Sequence, residues 1–300
     1  MHDAAPTRPS VVDVQGIPVA CEVRGEGVPV VLVHGWSDDR RYMIADLDPV
    51  FADDGGWRRV YLDLPGHGAT PAPSWLSTQD QMLGVVAGFI DAIVQTDRFV
   101  IVGSSYGGHV ALGIVRSMPD RILGAGLLVP DLPGSDGSRQ LEEAVVLHED
   151  RSVFAALAPD EEWIPRNLVV HERRMLDEIR EHEVPAMRVA DRAFLERLEA
   201  HYLPTGVAGR PGPAITGPSL IVTGRQDSVV GFRAAWALLD EFPRATFAVA
   251  DMAGHWLGRV ERPGLFRALV ADWLQRMRME SSRRPAGDSV QGRDVKGSEE

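Results

Sequence analysis

Apolar positions along the chain follow two periods. From residue 29 to about 130, short unbroken runs of Val, Ile and Leu alternate with longer stretches of helical spacing, the pattern of a parallel sheet with helices on both faces. Before it, Ser10 to Val14 and Ile17 to Val23 flank Gln15-Gly16 and read as a hairpin at the sheet edge. Pro29 to His34 predicts the first buried strand, because a strand covered on both faces has no polar alternation. Next come a helix near 40–53, a strand at Arg59 to Asp63, a helix near 79–95 and a strand at Phe99 to Val102. A helix from about 106 to 117 and a strand at Ile122 to Val129 complete this stretch.

The texture changes between Asp131 and Pro218. Strand-like runs vanish, segments such as HERRMLDEIREHE carry helical spacing, and the stretch ends in a Gly/Pro-rich linker, GVAGRPGPAITGP. Strand signals resume at Ser219 to Thr223 and Thr246 to Ala250, with a helix near 231–241 between them and another from about Trp256 to Met279. The expected architecture is α/β, a doubly wound and mostly parallel sheet, with a core from 1–130 and 218–280. A helical cap, 131–217, is inserted after the sixth strand. Residues 281–300 are nearly devoid of apolar side chains and are expected to be a disordered tail.

Charge then narrows the partners. The chain has 31 Lys plus Arg against 43 Asp plus Glu, a formal net charge of −12. That balance repels nucleic acid and anionic membrane, and it leaves a small-molecule substrate as the expected partner. Of the excess, −7 falls in the insert, with seventeen acidic and ten basic residues. A run of charge is ordinarily a solvated face, yet its sign disfavours polyanionic substrates. Cys21 is alone, so neither an intramolecular disulfide nor a cysteine zinc site can form, and no metal or cofactor is called for. The opening MHDAAPTRPS has no apolar h-region, and no apolar stretch approaches the roughly twenty residues needed to span a bilayer. A cytoplasmic protein is expected, and a homodimer is compatible with the sequence.

The segment with most chemical content is Phe99-Val-Ile-Val-Gly-Ser-Ser-Tyr-Gly-Gly108, in which a buried strand runs through Gly103-x-Ser105-x-Gly107 into a helix. A glycine-rich turn without function is the bland alternative. Strand, spacing and helix together point instead to a strained turn that projects Ser105 at the sheet's carboxyl edge, beside the positive end of a helix. At this point the chain resembles the α/β-hydrolase family, in its serine-nucleophile, esterase-like branch with a helical cap. The resemblance rests on VVLVHGW at 30–36, DLPGHG at 63–68, GSSYGG at 103–108, TGRQD at 223–227 and AGHW at 253–256, in the family's order. It implies Ser105 as nucleophile, His255 as base and Asp227 as acid.

A serine hydroxyl needs an imidazole within reach, and the imidazole needs a carboxylate behind it. His255 stands on a short loop after a strand. His34 and His67 lie in turns and are expected to brace backbone, His109 lies on the helix after Ser105, and His148, His171, His182 and His201 lie in the insert. Asp131 competes with Asp227, since it too follows a strand and some relatives place their acid there. The oxyanion hole is expected from the backbone N–H groups of Trp36 and Tyr106. DLPGHG reads as a structural turn, and Phe154, Trp163, Phe194 and Tyr202 as aromatics that mostly pack the cap. Serine at 105, where epoxide and carbon–halogen hydrolases carry aspartate, leaves acyl chemistry on esters, lactones or thioesters. A carbon–carbon bond hydrolase of a diketone is the alternative enzyme, and a receptor-like binder with little turnover the alternative class.

Overall fold

The computed structural model describes residues 8–134 and 137–283. Strands β1 (Arg8–Val14) and β2 (Ile17–Arg24) form the edge hairpin, turning at Gln15 and Gly16, both at positive φ. Then follow β3 (Val28–Val33), α1 (Arg40–Asp54), β4 (Trp57–Leu62), α2 (Gln79–Val94), β5 (Phe99–Ser104), α3 (Tyr106–Ser117) and β6 (Ile122–Leu128). After the insert come β7 (Ser219–Gly224), β8 (Ala245–Ala250) and α8 (Pro263–Arg283). The sheet order is β1-β2-β4-β3-β5-β6-β7-β8, with β1 and β2 antiparallel to their neighbours and every other pair parallel. The doubly wound architecture expected from the sequence is therefore the one observed.

Alternation along each buried strand divides the core in two. Val31, Val33 and Ile101 point into a cluster shared with Met82 and Phe89 of α2 and Val110 and Ile114 of α3. Val30, Leu32, Val100 and Val102 point the other way, onto Met43 and Leu47 of α1 and Phe266, Val270 and Trp273 of α8. Burial on both faces explains why these strands show no polar alternation. Between β6 and β7 lie the short helices α4 (Ile164–Asn167), α5 (Arg173–His182), α6 (Val184–Val189) and α7 (Arg192–Glu199). Ile164, Met175, Leu176, Ile179 and Val184 make a separate small cluster, which Val260 joins from the main body. Phe194 of α7 instead enters the first core cluster.

Two helices differ from expectation. The stretch near 231–241 is a 3₁₀ turn, Arg233–Asp240, entered through Gly231 at φ +76°. The single helix expected from Trp256 to Met279 is two pieces, a π turn at Leu257–Glu261 and then α8, which runs on to Arg283. Pro263 explains the break: its ring disfavours helical backbone at the preceding residue, and Arg262 sits at φ −131°, ψ 55°. The tail boundary drawn at 281 falls inside α8, because the helix carries on past the last strongly apolar residue. The remainder of the expected tail, 284–300, lies outside the described residues.

The turn from β5 into α3 is closely packed. A Cβ on Gly103 would lie 2.1 Å from Gly107 O, and a Cβ on Gly107 would lie 2.2 Å from Val33 O. Glycine at both positions is a packing requirement. Gly84, on the exposed side of α2, has nothing within 4 Å of the corresponding position. We therefore expect opposite signs from the same chemical change: Gly107→Ala destabilises by about 1–3 kcal/mol or more through overpacking, whereas Gly84→Ala stabilises by about 0.5–1 kcal/mol. Urea melts of the two variants check this, and equal midpoints would refute it.

Candidate active site

Ser105 sits between β5 and α3 at φ 55°, ψ −119°, a left-handed backbone that a serine rarely adopts. Its N–H donates to Leu128 O at 2.9 Å, and its carbonyl accepts Asp131 N–H at 3.0 Å, so the end of β6 is stitched to the turn. The side chain is thereby presented at the carboxyl edge of the central strands, where open α/β sheets bind ligands.

His255, on the loop after β8, brings its Nε2 to 2.8 Å from Ser105 Oγ and its Nδ1 to 2.9 Å from Asp227 Oδ2. Asp227 lies in the loop after β7 and is fully buried. Its other oxygen, Oδ1, accepts the N–H groups of Val229 and Val230, both at 2.9 Å. Those two donors compensate a charge that would otherwise be costly in a dry site, and they leave Oδ2 to the imidazole. The arrangement selects the tautomer with the proton on Nδ1, so that Nε2 accepts from the serine hydroxyl. Burial pulls the His255 pKa down, but the charge and hydrogen bond of Asp227 outweigh it, and the pKa stands above the ordinary histidine value. Chemically, such a chain can take a proton from the hydroxyl and return it to a leaving group.

Asp131 is held elsewhere. Arg139 grips it in a fork, Nε to Oδ1 at 2.7 Å and Nη2 to Oδ2 at 2.6 Å, and the Tyr202 hydroxyl donates to Oδ2. Burial would raise its pKa, but these hydrogen bonds prevail and hold it below the usual carboxylate range. Among the described residues it makes no hydrogen bond to His255.

Gly35 packs directly on the serine, since a Cβ there would lie 3.4 Å from Ser105 Cβ. That contact brings the next residue, Trp36, beside Tyr106, the first residue of α3, and their rings meet edge to face at 4.9 Å. A cleft of about 700 Å³ opens here, lined by Trp36, Ser105, Tyr106, Asp131, Arg139 and Tyr202 among others. Tyr202 is the one aromatic of the four named from the insert that faces this cleft. Trp163 rests on Trp256 at 5.2 Å, Phe154 meets His171 edge to face at 4.7 Å, and Phe194 is buried in the core.

His34, His67 and His109 have structural surroundings. His34 Nε2 accepts Leu64 N–H at 3.0 Å and its Nδ1 lies 2.8 Å from Gly35 O, while burial pushes its pKa down to about 4. His67 Nδ1 bonds Pro65 O at 2.9 Å. His109 stacks on Tyr202 at 4.8 Å. In DLPGHG, Asp63 accepts the N–H groups of Arg40 and Ala69 and pairs with the Arg40 guanidinium, a brace between α1 and the turn.

Asp38 was not anticipated from the sequence. Its backbone N–H donates to Gly35 O, 3.3 Å, and its side chain folds back so that the missing Gly35 Cβ would lie 2.7 Å from Oδ2. Burial and the neighbouring Asp39 lift its pKa to about 7. The paired aspartates after Trp36 were the available signal, but only the folded turn shows that Asp39 caps α1 while Asp38 folds back on Gly35. Among the described residues no group of three or more His, Cys, Asp or Glu side chains is placed to hold a metal ion. Nor is any described helix long and apolar enough to cross a membrane.

The family model described as "Alpha/beta hydrolase family" matches residues 30–269. The dihydrolipoyllysine-residue acetyltransferase component of the acetoin cleaving system from Cupriavidus necator is 31% identical over 272 residues, covering 87% of this chain and 68% of that protein. A 2-hydroxy-6-oxononadienedioate/2-hydroxy-6-oxononatrienedioate hydrolase from Cupriavidus pinatubonensis is 25% identical over 278 residues, 85% of this chain and 90% of its own. Among solved structures, a thermophilic esterase from Thermogutta terrifontis superposes with a TM-score of 0.62 at 25% identity, covering 91% of this chain and 99% of that one. With its glycine-bounded Ser105 turn, its sheet order and a family match over most of its length, the chain belongs to the alpha/beta hydrolase family.

Proposed function

We propose that the protein is a serine hydrolase that cleaves a carboxylic ester, lactone or thioester of a small to medium apolar substrate through an acyl-enzyme. The observation that carries this reading is the unbroken relay from Ser105 Oγ through His255 to Asp227, at 2.8 and 2.9 Å. Ser105 Oγ attacks the carbonyl carbon as its proton passes to His255 Nε2. Asp227 holds the imidazole in the receptive tautomer and stabilises its cation. The negative carbonyl oxygen is met by the backbone N–H groups of Tyr106 and Trp36, one from each loop, fixed before the reaction begins. The imidazolium then gives its proton to the leaving oxygen. Water repeats the sequence on the acyl-serine and frees Ser105.

A second reading, carbon–carbon bond hydrolysis of a diketone, is favoured by the similarity to hydrolases named for nonadienedioates and to a 2-hydroxymuconate semialdehyde hydrolase. The electrostatics of the cleft favour the ester. Asp80, Asp131 and Glu199 line it, and Arg139, the one Arg or Lys among its described lining residues, is already paired with Asp131. A dianionic substrate would meet surplus negative charge there. The insert from 131 to 217 is assigned the role of a cap that covers the cleft and sets substrate choice.

Turnover of p-nitrophenyl acetate and butyrate compared with vinylogous diketones separates the two readings. Ester kcat/KM should exceed that for the diketones, and the reverse order would install the second reading. Ser105→Ala should lower kcat by about 10⁴-fold or more with folding intact, and an active variant would remove Ser105 from the role of nucleophile. Asp227→Asn should cost about 10³ to 10⁴ in kcat, and more than Asp131→Asn. Because the base must be neutral and its pKa stands above the ordinary value, kcat/KM should fall with decreasing pH at a midpoint above about 6.5. In Asp227→Asn that midpoint should move down, and an unmoved midpoint would place the acid elsewhere.

A further inference from the structure

The loop that carries His255 is held by a buried carboxyl group that the relay does not use. Glu261 closes the π turn Leu257–Glu261, in which Arg262 N–H donates to Leu257 O at 3.0 Å and Gly258 leaves helical geometry at ψ −116°. Turns of this kind recur at functional sites. Only 5% of Glu261 is exposed. Its Oε1 accepts Val169 N–H at 3.0 Å, and its Oε2 accepts Gly254 N–H at 2.7 Å. Val169 belongs to the insert, and Gly254 immediately precedes His255. A Cβ on Gly254 would lie 3.2 Å from Val169 Cγ2 and 3.5 Å from Asn167 O, so insert and histidine loop touch at this point. On the far side of His255, Trp256 Nε1 donates to Glu183 of the insert. The imidazole therefore sits between two places where the insert grips its chain neighbours.

The two N–H groups converge on different oxygens of one side chain. A carboxylate offers both. A carboxylic acid, or an amide, turns a donor toward one of them. The grip on Gly254 and Val169 together thus belongs to the ionised form. Burial raises the Glu261 pKa, the two N–H groups lower it, the Asp227 charge raises it and His255 lowers it, leaving it at about 7. Asp227 and His255 are the ionisable groups that act on it from the neighbouring loops, and the insert meets it with the neutral Val169.

We propose that Glu261 is a positioning residue: as a carboxylate it ties the insert to the histidine loop and keeps His255 within reach of Ser105. The inference rests on the reading of Ser105 and His255 as an acyl-transfer pair. It predicts that two protons suppress the reaction on the acid side, one that removes the base at His255 and one that loosens Gly254 by neutralising Glu261.

The test is the pH profile of kcat/KM for p-nitrophenyl butyrate in the full chain and in Glu261→Gln and Glu261→Asp. Melting temperature and the rate of Ser105 labelling by an organophosphonate are read alongside. The wild-type protein should show an acid limb of log kcat/KM with a slope above one over about one to two pH units, returning to one below that as the neutral form's residual activity takes over. Glu261→Gln should show a slope of one, with kcat lowered by about 10- to 100-fold, as a small misplacement of a reacting group produces, and with KM changed far less. Labelling should slow in parallel. Glu261→Asp keeps both oxygens and should restore the steeper stretch at an intermediate rate. A wild-type slope of one along the whole acid limb overturns the proposal, as does Glu261→Gln with unchanged kcat and only a lower melting temperature. If Glu261→Gln does not fold, the wild-type slope alone decides. A wild-type chain that neither labels nor turns over ester takes down the hydrolase reading and this inference together, whereas labelling with a slope of one removes this inference alone.

Discussion

Everything at the site depends on the chain passing from β5 into α3 through a space with no room for two side chains. Gly107 approaches the carbonyl of Val33, and Gly103 approaches the carbonyl of Gly107, both closer than any Cβ would allow. The close approach lets the end of β3 lie against the start of α3, and that brings Gly35 and Trp36 over Ser105. The left-handed backbone at Ser105 is stored strain, and the hydrogen bonds to Leu128 O and from Asp131 N–H hold it in place. A serine in an ordinary helix start would point along the helix. Here it points out of the sheet, toward the loops after β7 and β8.

Burial and charge are balanced differently at each carboxyl group near those loops. Asp227 is fully buried, yet it is supplied with two backbone N–H donors and an imidazole. Asp131, nearly as buried, is compensated by a guanidinium and a phenol. Asp38 has no side-chain hydrogen bond among the described residues, and burial raises its pKa, as burial also does for Glu183, whose one donor is the Trp256 indole. Asp131, with a guanidinium and a phenol as donors, is held below the usual carboxylate range, whereas Asp38 and Glu183, with few donors, are raised by burial.

Much of the fold was legible because its signals are short-range. Buried parallel strands are continuous apolar runs, α3 matches residues 106–117 in full, and the hairpin at Gln15-Gly16 is a two-residue turn with both residues at positive φ. The strained serine was legible for the same reason, since strand, glycines and helix occupy ten consecutive residues. What could not be read depended on contacts distant in sequence. The break at Pro263 was missed because the apolar spacing continues across it, although the proline itself was a local warning. Phe194 and Tyr202 lie eight residues apart in the insert, and nothing in their spacing says that one enters the core while the other faces the cleft.

The choice between Asp131 and Asp227 shows where the limit falls. Both follow parallel strands that are neighbours in the sheet, so both stand at the same edge and nothing in the strand pattern separates them. Their difference lies in their partners. Asp227 is prepared by its own chain, through the N–H groups two and three residues ahead, a local turn that Asp-Ser-Val-Val is well suited to form. Asp131 is taken up by Arg139, eight residues on, and by Tyr202, 71 residues on. A carboxylate already gripped by a guanidinium fork has little left to offer an imidazole. The same fork occupies the one guanidinium among the cleft's described lining residues, so the interaction that holds Asp131 away from His255 also pairs the positive charge of that wall.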